Sequence, residues 1–366
     1  MTKVVVAMSG GVDSSVAAAI LKQQGYDVVG MMLRLWSEPG KEATNRCCTP
    51  DAMALARRVA SQLDIPFYVV AAKDLFRSTV VNYFLEEYLQ GATPNPCLVC
   101  NRIIRWKFLL EHALAMGAEF MATGHYVRLR SIQVQKSDQL TEESKQLIRA
   151  VDRNKDQSYV LHVLDQEQLS RALFPVGDFP KEKIRELADE LGLPTASRPD
   201  SQDLCFLAGE DYREFIKRNA PQSLKPGEIV NQSGKVLGEH QGLSFYTIGQ
   251  RKGLGLSSAK PLYVLAKQPG SNRLIVGLQS ELGQDELTVE KMHWISGESP
   301  GIDFRAEVKI RYSAKEAWAE IHCHGDGRVQ VRFDQPQRDI TVGQAVVIYD
   351  GDVVLGGGKI VQSNFA

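Results

Sequence analysis

Nothing in this chain approaches the ~20 consecutive apolar residues of a membrane-spanning helix, and its first residues carry no signal-peptide pattern. An excess of one charge is also missing. Lys and Arg number 43 against 44 Asp and Glu, a formal net charge of −1, so no global basic bias advertises a nucleic-acid partner. Cysteine is sparse: Cys47, Cys48, Cys97, Cys100, Cys205 and Cys323 in 366 residues. A chain this long does not need disulfides to be stable, so these thiols read as redox, nucleophilic or metal-binding groups. The phosphate-binding patterns GxxxxGK[ST] and GxGxxG are absent, and no internal repeat is visible. Together these absences predict a cytoplasmic, globular, multi-domain protein with no membrane partner.

What is present begins at residue 3, with KVVVAMSGGVDSSVAAAIL. The β-branched run Val4–Met8 predicts a strand buried on both faces. Gly10 and Gly11 allow a tight turn and a close backbone approach to a ligand. A helix starts there, so its unpaired N–H groups and positive dipole end face the same spot. Ser9, Ser14 and Ser15 add hydroxyls. Asp13 is a poor neighbour for a phosphate unless Mg²⁺ lies between them.

Strand and helix alternate up to about residue 125. Strands are predicted at Val4–Met8, Val28–Leu33, Phe67–Ala71 and Phe120–Thr123, with helices near 14–24, 50–63, 74–89 and 103–116. Thr49-Pro50-Asp51 is a helix start, with a capping hydroxyl and proline at the first position. This rhythm predicts a doubly wound parallel sheet with its ligand at the carboxyl ends of the strands. Residues 131–147, polar and poor in aromatics, read as an exposed, mobile insertion. Helical patterning resumes at Gln157–Arg171 and Lys181–Leu191. Beyond about 220 short β-rich runs take over, with Asp326-Gly327 and Asp350-Gly351 as hairpin turns. The expected division is 1–215, an α/β nucleotide and catalytic domain; 216–282, a small β-rich linker domain; and 283–366, a C-terminal β-barrel.

A second informative stretch is TPNPCLVCNRIIRWKFL, residues 93–109. Two prolines stiffen a loop, and Cys97 and Cys100 follow at a helix start, where thiolates are favoured. A third is SRPDSQDLCFLAG, 197–209, with Cys205 in a polar loop. Cys323 reads as a buried strand residue, and Cys47 and Cys48 as packing at a helix start.

SGGVDSS resembles the pyrophosphate loop of the ATP-pyrophosphatase superfamily, whose fold is adenine nucleotide α-hydrolase-like. TPNPxxxCN, ATGHY at 122–126, NKDQSY at 154–159, DSQDLCF at 200–206 and GLSFYTIGQRKGLG at 242–255 follow in order. As a set, over essentially the whole chain, they resemble the bacterial tRNA-specific 2-thiouridylase family. The resemblance implies ATP and Mg²⁺ bound at Ala7, Met8, Ser9, Gly10, Gly11, Val12, Asp13 and Ser14, with Leu33 and Gly124 lining the nucleotide. It implies that the C2 oxygen of a wobble uridine is adenylated, with release of pyrophosphate and then AMP. Cys205 matches the persulfide-bearing cysteine and Cys100 the second catalytic cysteine. Asn95, Pro96 and Cys97 would meet the target base. His125, Lys155, Asp156, Gln157, Arg311, Tyr312 and Gln344 would meet tRNA. A sulfur donor, either a cysteine desulfurase or a sulfur relay protein, is the further partner implied.

One position departs from the family pattern, which often has Asp where this chain has Cys97. Cys97, Cys100 and Cys205 together could hold a [4Fe–4S] cluster with one open iron. Persulfide chemistry through Cys205 and Cys100 is the second possibility, and structural zinc, which lacks a fourth ligand, the third. Between His240 and Ser280 there is no acid, while Arg251, Lys252, Lys260, Lys267 and Arg273 are present. Such a stretch can follow a phosphate backbone. Two other function classes share some of these features: another adenylating ligase or amidotransferase with the same loop, and a non-catalytic RNA-binding or sulfur-carrier protein.

Overall fold

The computed structural model describes residues 1–41, 49–137, 140–199 and 204–363. Cys47 and Cys48 lie outside the described residues, as do Asp200 to Asp203.

The strands β1 (Lys3–Ala7), β2 (Asp27–Arg34), β3 (Phe67–Ala71) and β4 (Phe120–Thr123) form where the apolar runs predict them. With a later two-residue strand they make a sheet in which every pairing is parallel. Val4, Val5 and Val6 are fully buried, because helices cover both faces. Helix α1 (Val12–Gln23) packs on one face. Helix α2 (Pro50–Gln62) opens as its sequence requires, with Thr49 Oγ1 accepting from the Ala52 N–H at 3.0 Å. The 96–115 helix covers the other face, and its middle, Cys100–Leu109, is a π-helix. The order β3-β2-β1-β4 reverses between β1 and β4. That reversal opens a crevice at the strand ends.

Residues 131–147 are not a loose insertion. β5 (Val127–Ser137) and β6 (Leu140–Arg149) form a long antiparallel hairpin. The polar run hid an alternation: Val127 and Leu147 are buried, while Arg130 donates to Gln146 Oε1 across the exposed face. The helix predicted over Gln157–Arg171 is broken in two, Ser158–Leu161 and Gln166–Ser170. The cause is a capping box. Asp165 accepts from the Gln168 N–H at 2.8 Å while Gln168 Oε1 accepts from the Asp165 N–H at 3.2 Å, so a new helix starts there.

After β7 (Ala172–Leu173), the strands β8 (Gly227–Val230), β9 (Val236–His240), β10 (Tyr263–Gln268) and β11 (Arg273–Gly277) form a small separate sheet. The last six are β12 (Gly283–Trp294), β13 (Asp303–Lys309), β14 (Ala317–Cys323), β15 (Val329–Arg338), β16 (Ala345–Asp350) and β17 (Val353–Ser363). β12 pairs with both β15 and β17, which closes an antiparallel barrel. Leu287, Val308, Ile321, Val331, Ile348 and Ile360 fill it, and Cys323 packs at the edge of that core as a strand residue. β6 joins β17 at Ile148 and Val353, so the hairpin extends the barrel wall.

His162 is sealed beneath β17, 3% exposed, with Nδ1 2.7 Å from the Tyr159 carbonyl. Burial pushes its pKa down from 6.5 to about 4. The fold therefore holds it neutral, whereas the unfolded chain protonates it near 6.5. Its stabilisation is complete above pH 6.5 and drains away as pH falls towards 4, by about 3 kcal/mol in all. The unfolding midpoint should drop across that window, and less steeply in His162→Gln. Equal slopes for the two proteins would assign the acid sensitivity to other groups.

Candidate active site

The loop from β1 to α1 lies at the crevice between β1 and β4. Gly10 has φ +73°, and a Cβ there would come within 2.3 Å of the Ala52 carbonyl oxygen. Only glycine fits. At the end of β4, a Cβ on Gly124 would meet the Ser14 nitrogen at 2.6 Å. The serines brace this loop. Ser15 Oγ donates to the Gly11 carbonyl at 2.9 Å, and Ser9 Oγ accepts from the Gly11 N–H at 3.3 Å.

A cleft of about 590 Å³ opens here. Ala7, Met8, Ser9, Gly11, Val12, Asp13, Ser14, Leu33 and Gly124 line it, together with His125, Lys155, Gln157 and Tyr312. These are predicted residues brought together from five separate stretches. Met31, Met32, Leu35, Arg105, Asn154, Tyr126, Lys181 and Arg198 also line it, and sequence reasoning missed them. Among the described residues the wall carries four fixed cations, Arg105, Lys155, Lys181 and Arg198, and one acid, Asp13. That balance suits a polyanion.

Asp13 is held by the protein itself. Lys181 Nζ donates to its Oδ1 at 2.6 Å and the Tyr126 hydroxyl donates to the same oxygen at 2.7 Å. The Lys181 side chain is 6% exposed, so Asp13 is its counter-charge. Lys181 opens the helix Lys181–Glu190, where a cation opposes the helix dipole. That misplaced cation was the available signal. Arg198 Nη1 donates to the Gly10 carbonyl at 2.6 Å and fixes the loop from outside. Among the described residues no three His, Cys, Asp or Glu side chains gather to hold a metal ion. Mg²⁺ fits this site as a companion of nucleotide phosphates, with Asp13 as the one carboxylate on the cleft wall among the described residues.

The same observation bears on the [4Fe–4S] expectation. Cys97, Cys100 and Cys205 are not gathered as a ligand set, which does not fit a cluster or structural zinc. Cys97 is exposed in the first turn after Asn95, whose Oδ1 accepts from the Cys97 N–H at 3.1 Å, with Pro96 between them. Cys100 and Cys205 are instead half-buried and pack against one apolar cluster that includes Phe76, Phe84 and Phe206. Cys100 and Cys205 thus share an apolar cluster, whereas Cys97 is exposed to solvent.

His125 lines the cleft, as its place after a strand end predicts, and it is 6% exposed. Its Nδ1 lies 2.7 Å from Thr123 Oγ1, and Arg105 Nη1 lies 3.1 Å from its Nε2. A guanidinium only donates, so Nε2 accepts and Nδ1–H donates to Thr123. Burial first, and Arg105 second, hold the His125 pKa well below the ordinary value.

Asp156 is also buried; its Oδ1 accepts from the Ala150 N–H at 2.9 Å and its Oδ2 from Ser158 Oγ at 2.6 Å. It shapes the 154–157 turn that presents Lys155 and Gln157. Arg311 Nη1 donates to Asp339 Oδ2 at 3.0 Å. Gln344 Nε2 donates to the Thr93 carbonyl at 2.8 Å, and the Thr93 N–H donates to the Val342 carbonyl at 2.9 Å. The barrel thereby grips the loop that leads to Cys97. Tyr312, half exposed, reaches from the barrel into the cleft, and burial, Asp156 and Cys97 raise its phenol pKa.

In the acid-free stretch Lys267 donates to the Tyr246 carbonyl at 3.0 Å and Arg273 pairs with Glu228 at 2.9 Å. Arg251, Lys252 and Lys260 stay exposed. Reversing the charge of Arg251 and Lys252 should weaken tRNA binding and lower the log K against log salt slope by about one unit per lost contact. An unchanged affinity and slope in a salt titration would show that this loop touches no phosphate.

Family models match along the chain: "tRNA methyl transferase HUP domain" over residues 2–209, "tRNA methyl transferase PRC-barrel domain" over 213–278, and "Aminomethyltransferase beta-barrel domain" over 284–360. The chain is 48% identical over 362 residues to tRNA-specific 2-thiouridylase MnmA 2 of Caldanaerobacter subterraneus subsp. tengcongensis, covering 98% of this chain and 97% of that protein. It is 46% identical over 361 residues to MnmA of Acetivibrio thermocellus, covering 98% and 99%. A solved U34-tRNA thiolase, NcsA from Methanococcus maripaludis with its [4Fe–4S] cluster, is 20% identical over 60% of this chain and 68% of that one. Its TM-score of 0.36 is too low to bear on the site.

Proposed function

The chain belongs to the tRNA-specific 2-thiouridylase family, and on that footing we propose that it is an ATP-dependent sulfurtransferase acting on C2 of the wobble uridine in tRNA. The observation that carries the reading is the cleft at the β1–β4 crevice, where the SGGVDSS loop meets four cations, beside the cluster that holds Cys100 and Cys205.

The loop N–H groups and the N-terminus of α1 receive the terminal phosphates, and Met31, Met32 and Leu33 receive the nucleoside. The C2 oxygen of uridine attacks the α-phosphorus, the bond from that phosphorus to the bridging oxygen breaks, and pyrophosphate leaves. A persulfide on Cys205, loaded by an external sulfur donor, attacks C2 through its terminal sulfur. The C2–O bond breaks and AMP leaves. The Cys100 thiolate then attacks Cys205 Sγ, releasing the base as its thione and leaving a Cys100–Cys205 disulfide. An external dithiol reductant must supply two electrons to reset it. Cys97, Asn95 and Tyr312 stand at the mouth on the RNA side.

We assign nucleotide chemistry to residues 1–215, a linking role to 216–282 and tRNA contact to 283–366. A test of the class is pyrophosphate release from ATP. It should require tRNA and be indifferent to free amino acids. Release driven by an amino acid or ammonia instead would favour a ligase or amidotransferase.

A further inference from the structure

His125, at the cleft wall, is buried and bound to an arginine that lies 20 positions earlier in the chain. Three features make that pairing informative. His125 stands two residues past β4, on the crevice side of the strand reversal. Both its ring nitrogens are committed, one to Thr123 and one to Arg105. The acceptor it offers is used to hold a guanidinium whose side chain lines the cleft. A neutral histidine fixed by a buried threonine is a rigid anchor, so Arg105 is preorganised before any ligand arrives.

The backbone supports the same aim. Arg105 lies within the π-helix Cys100–Leu109. Arg105 therefore lies about one turn beyond Cys100 on the same helix. Cys100 packs on the apolar cluster with Cys205, while Arg105 and Leu109 reach the cleft wall. One helix thus carries a thiol at the sulfur end of the site and a guanidinium at the nucleotide end.

The cleft wall fixes what Arg105 can meet there. Apolar residues from β2 take the nucleoside on one side, and the Ser9–Ser14 loop takes the terminal phosphates on the other. The phosphoryl group between them is the one that stays with the nucleoside, and it is the one attacked. We propose that Arg105 is a catalytic residue that binds the non-bridging oxygens of this α-phosphoryl group as the base oxygen attacks it, and that His125 and Thr123 are the positioning residues that aim it. As the bond to the pyrophosphate breaks, the leaving electron pair goes to the pyrophosphate oxygen beneath α1. Arg105 stabilises the charge on the phosphorus oxygens in transit and takes up no proton. A fork of parallel donors matches such oxygens better than an ammonium does.

This inference rests on the reading that ATP is cleaved between its α and β phosphates here. The experiment uses the full chain with ATP, Mg²⁺ and tRNA, and follows pyrophosphate release and equilibrium ATP binding in parallel. Arg105→Ala should slow release by about 10²–10³-fold while ATP affinity changes far less. Added guanidinium ion should restore part of the rate. Arg105→Lys should fall between, since it keeps the charge without the fork. His125→Ala should lose less than Arg105→Ala, and guanidinium should not rescue it, because its arginine is present but unaimed. A normal rate in Arg105→Ala would overturn the inference alone. So would a loss that matches the drop in ATP affinity, or that neither Arg105→Lys nor guanidinium relieves, since either result marks a purely structural arginine. An unaltered protein that releases no pyrophosphate with ATP and tRNA would defeat the underlying reading as well.

Discussion

Cys205→Ser and Cys100→Ser are each expected to lower tRNA thiolation by at least about 10³-fold, with ATP binding unchanged. Both thiols pack on the apolar cluster and neither lines the cleft, so neither change should disturb the proposed phosphate end. The two losses should differ in what accumulates. Cys205→Ser should carry no persulfide on that residue, whereas Cys100→Ser should load Cys205 and stall after AMP leaves. Cys97→Asp separates the possible chemistries. Cys97 is exposed and is not among the residues packed on the cluster that holds Cys100 and Cys205, so it should tolerate the carboxylate common in the family and keep substantial activity. An inactive Cys97→Asp protein, together with iron that co-purifies with activity, would restore the cluster.

The second large effect is at Asp13. Its carboxylate is the counter-charge for Lys181, whose ammonium is nearly sealed from water. Asp13→Ala therefore removes the acid on the wall of the proposed nucleotide cleft and also strands a buried cation. Activity should be lost, and stability should fall by about 3 kcal/mol. The two consequences can be separated. Adding Lys181→Met to Asp13→Ala removes the stranded charge and should recover most of the stability, read as the urea midpoint, with no recovery of pyrophosphate release. If the double variant regained activity, Asp13 would matter only as a partner for Lys181.

The parallel sheet was legible because β1 to β4 are β-branched runs buried on both faces, separated by capped helices. Thr49-Pro50 and the glycine turns behaved as local chemistry demands. The 127–149 hairpin was not legible, since its alternation lies among polar residues whose inner face is covered only once β17 pairs with β6. The loop and the Cys97–Cys100 pair stood out from local pattern, whereas Cys205, alone in a polar loop, was singled out only by the family resemblance. Arg105, Lys181 and Arg198 could not, because each acts on a partner 20 to 188 positions away. His125, Asp156 and Gln344 were visible as site residues, but not as residues that hold the site together from inside. Local sequence shows that a side chain is polar near a strand end. It does not show which neighbour satisfies it once the layers close.

The most direct test is mass spectrometry of the wobble nucleoside after incubating the purified chain with unmodified tRNA, ATP, Mg²⁺, a persulfide donor and a dithiol. The account predicts 2-thiouridine at that position alone, with one AMP and one pyrophosphate formed per sulfur inserted and none without ATP. An unmodified wobble uridine, sulfur at another base, or 2-thiouridine formed without ATP cleavage would contradict it.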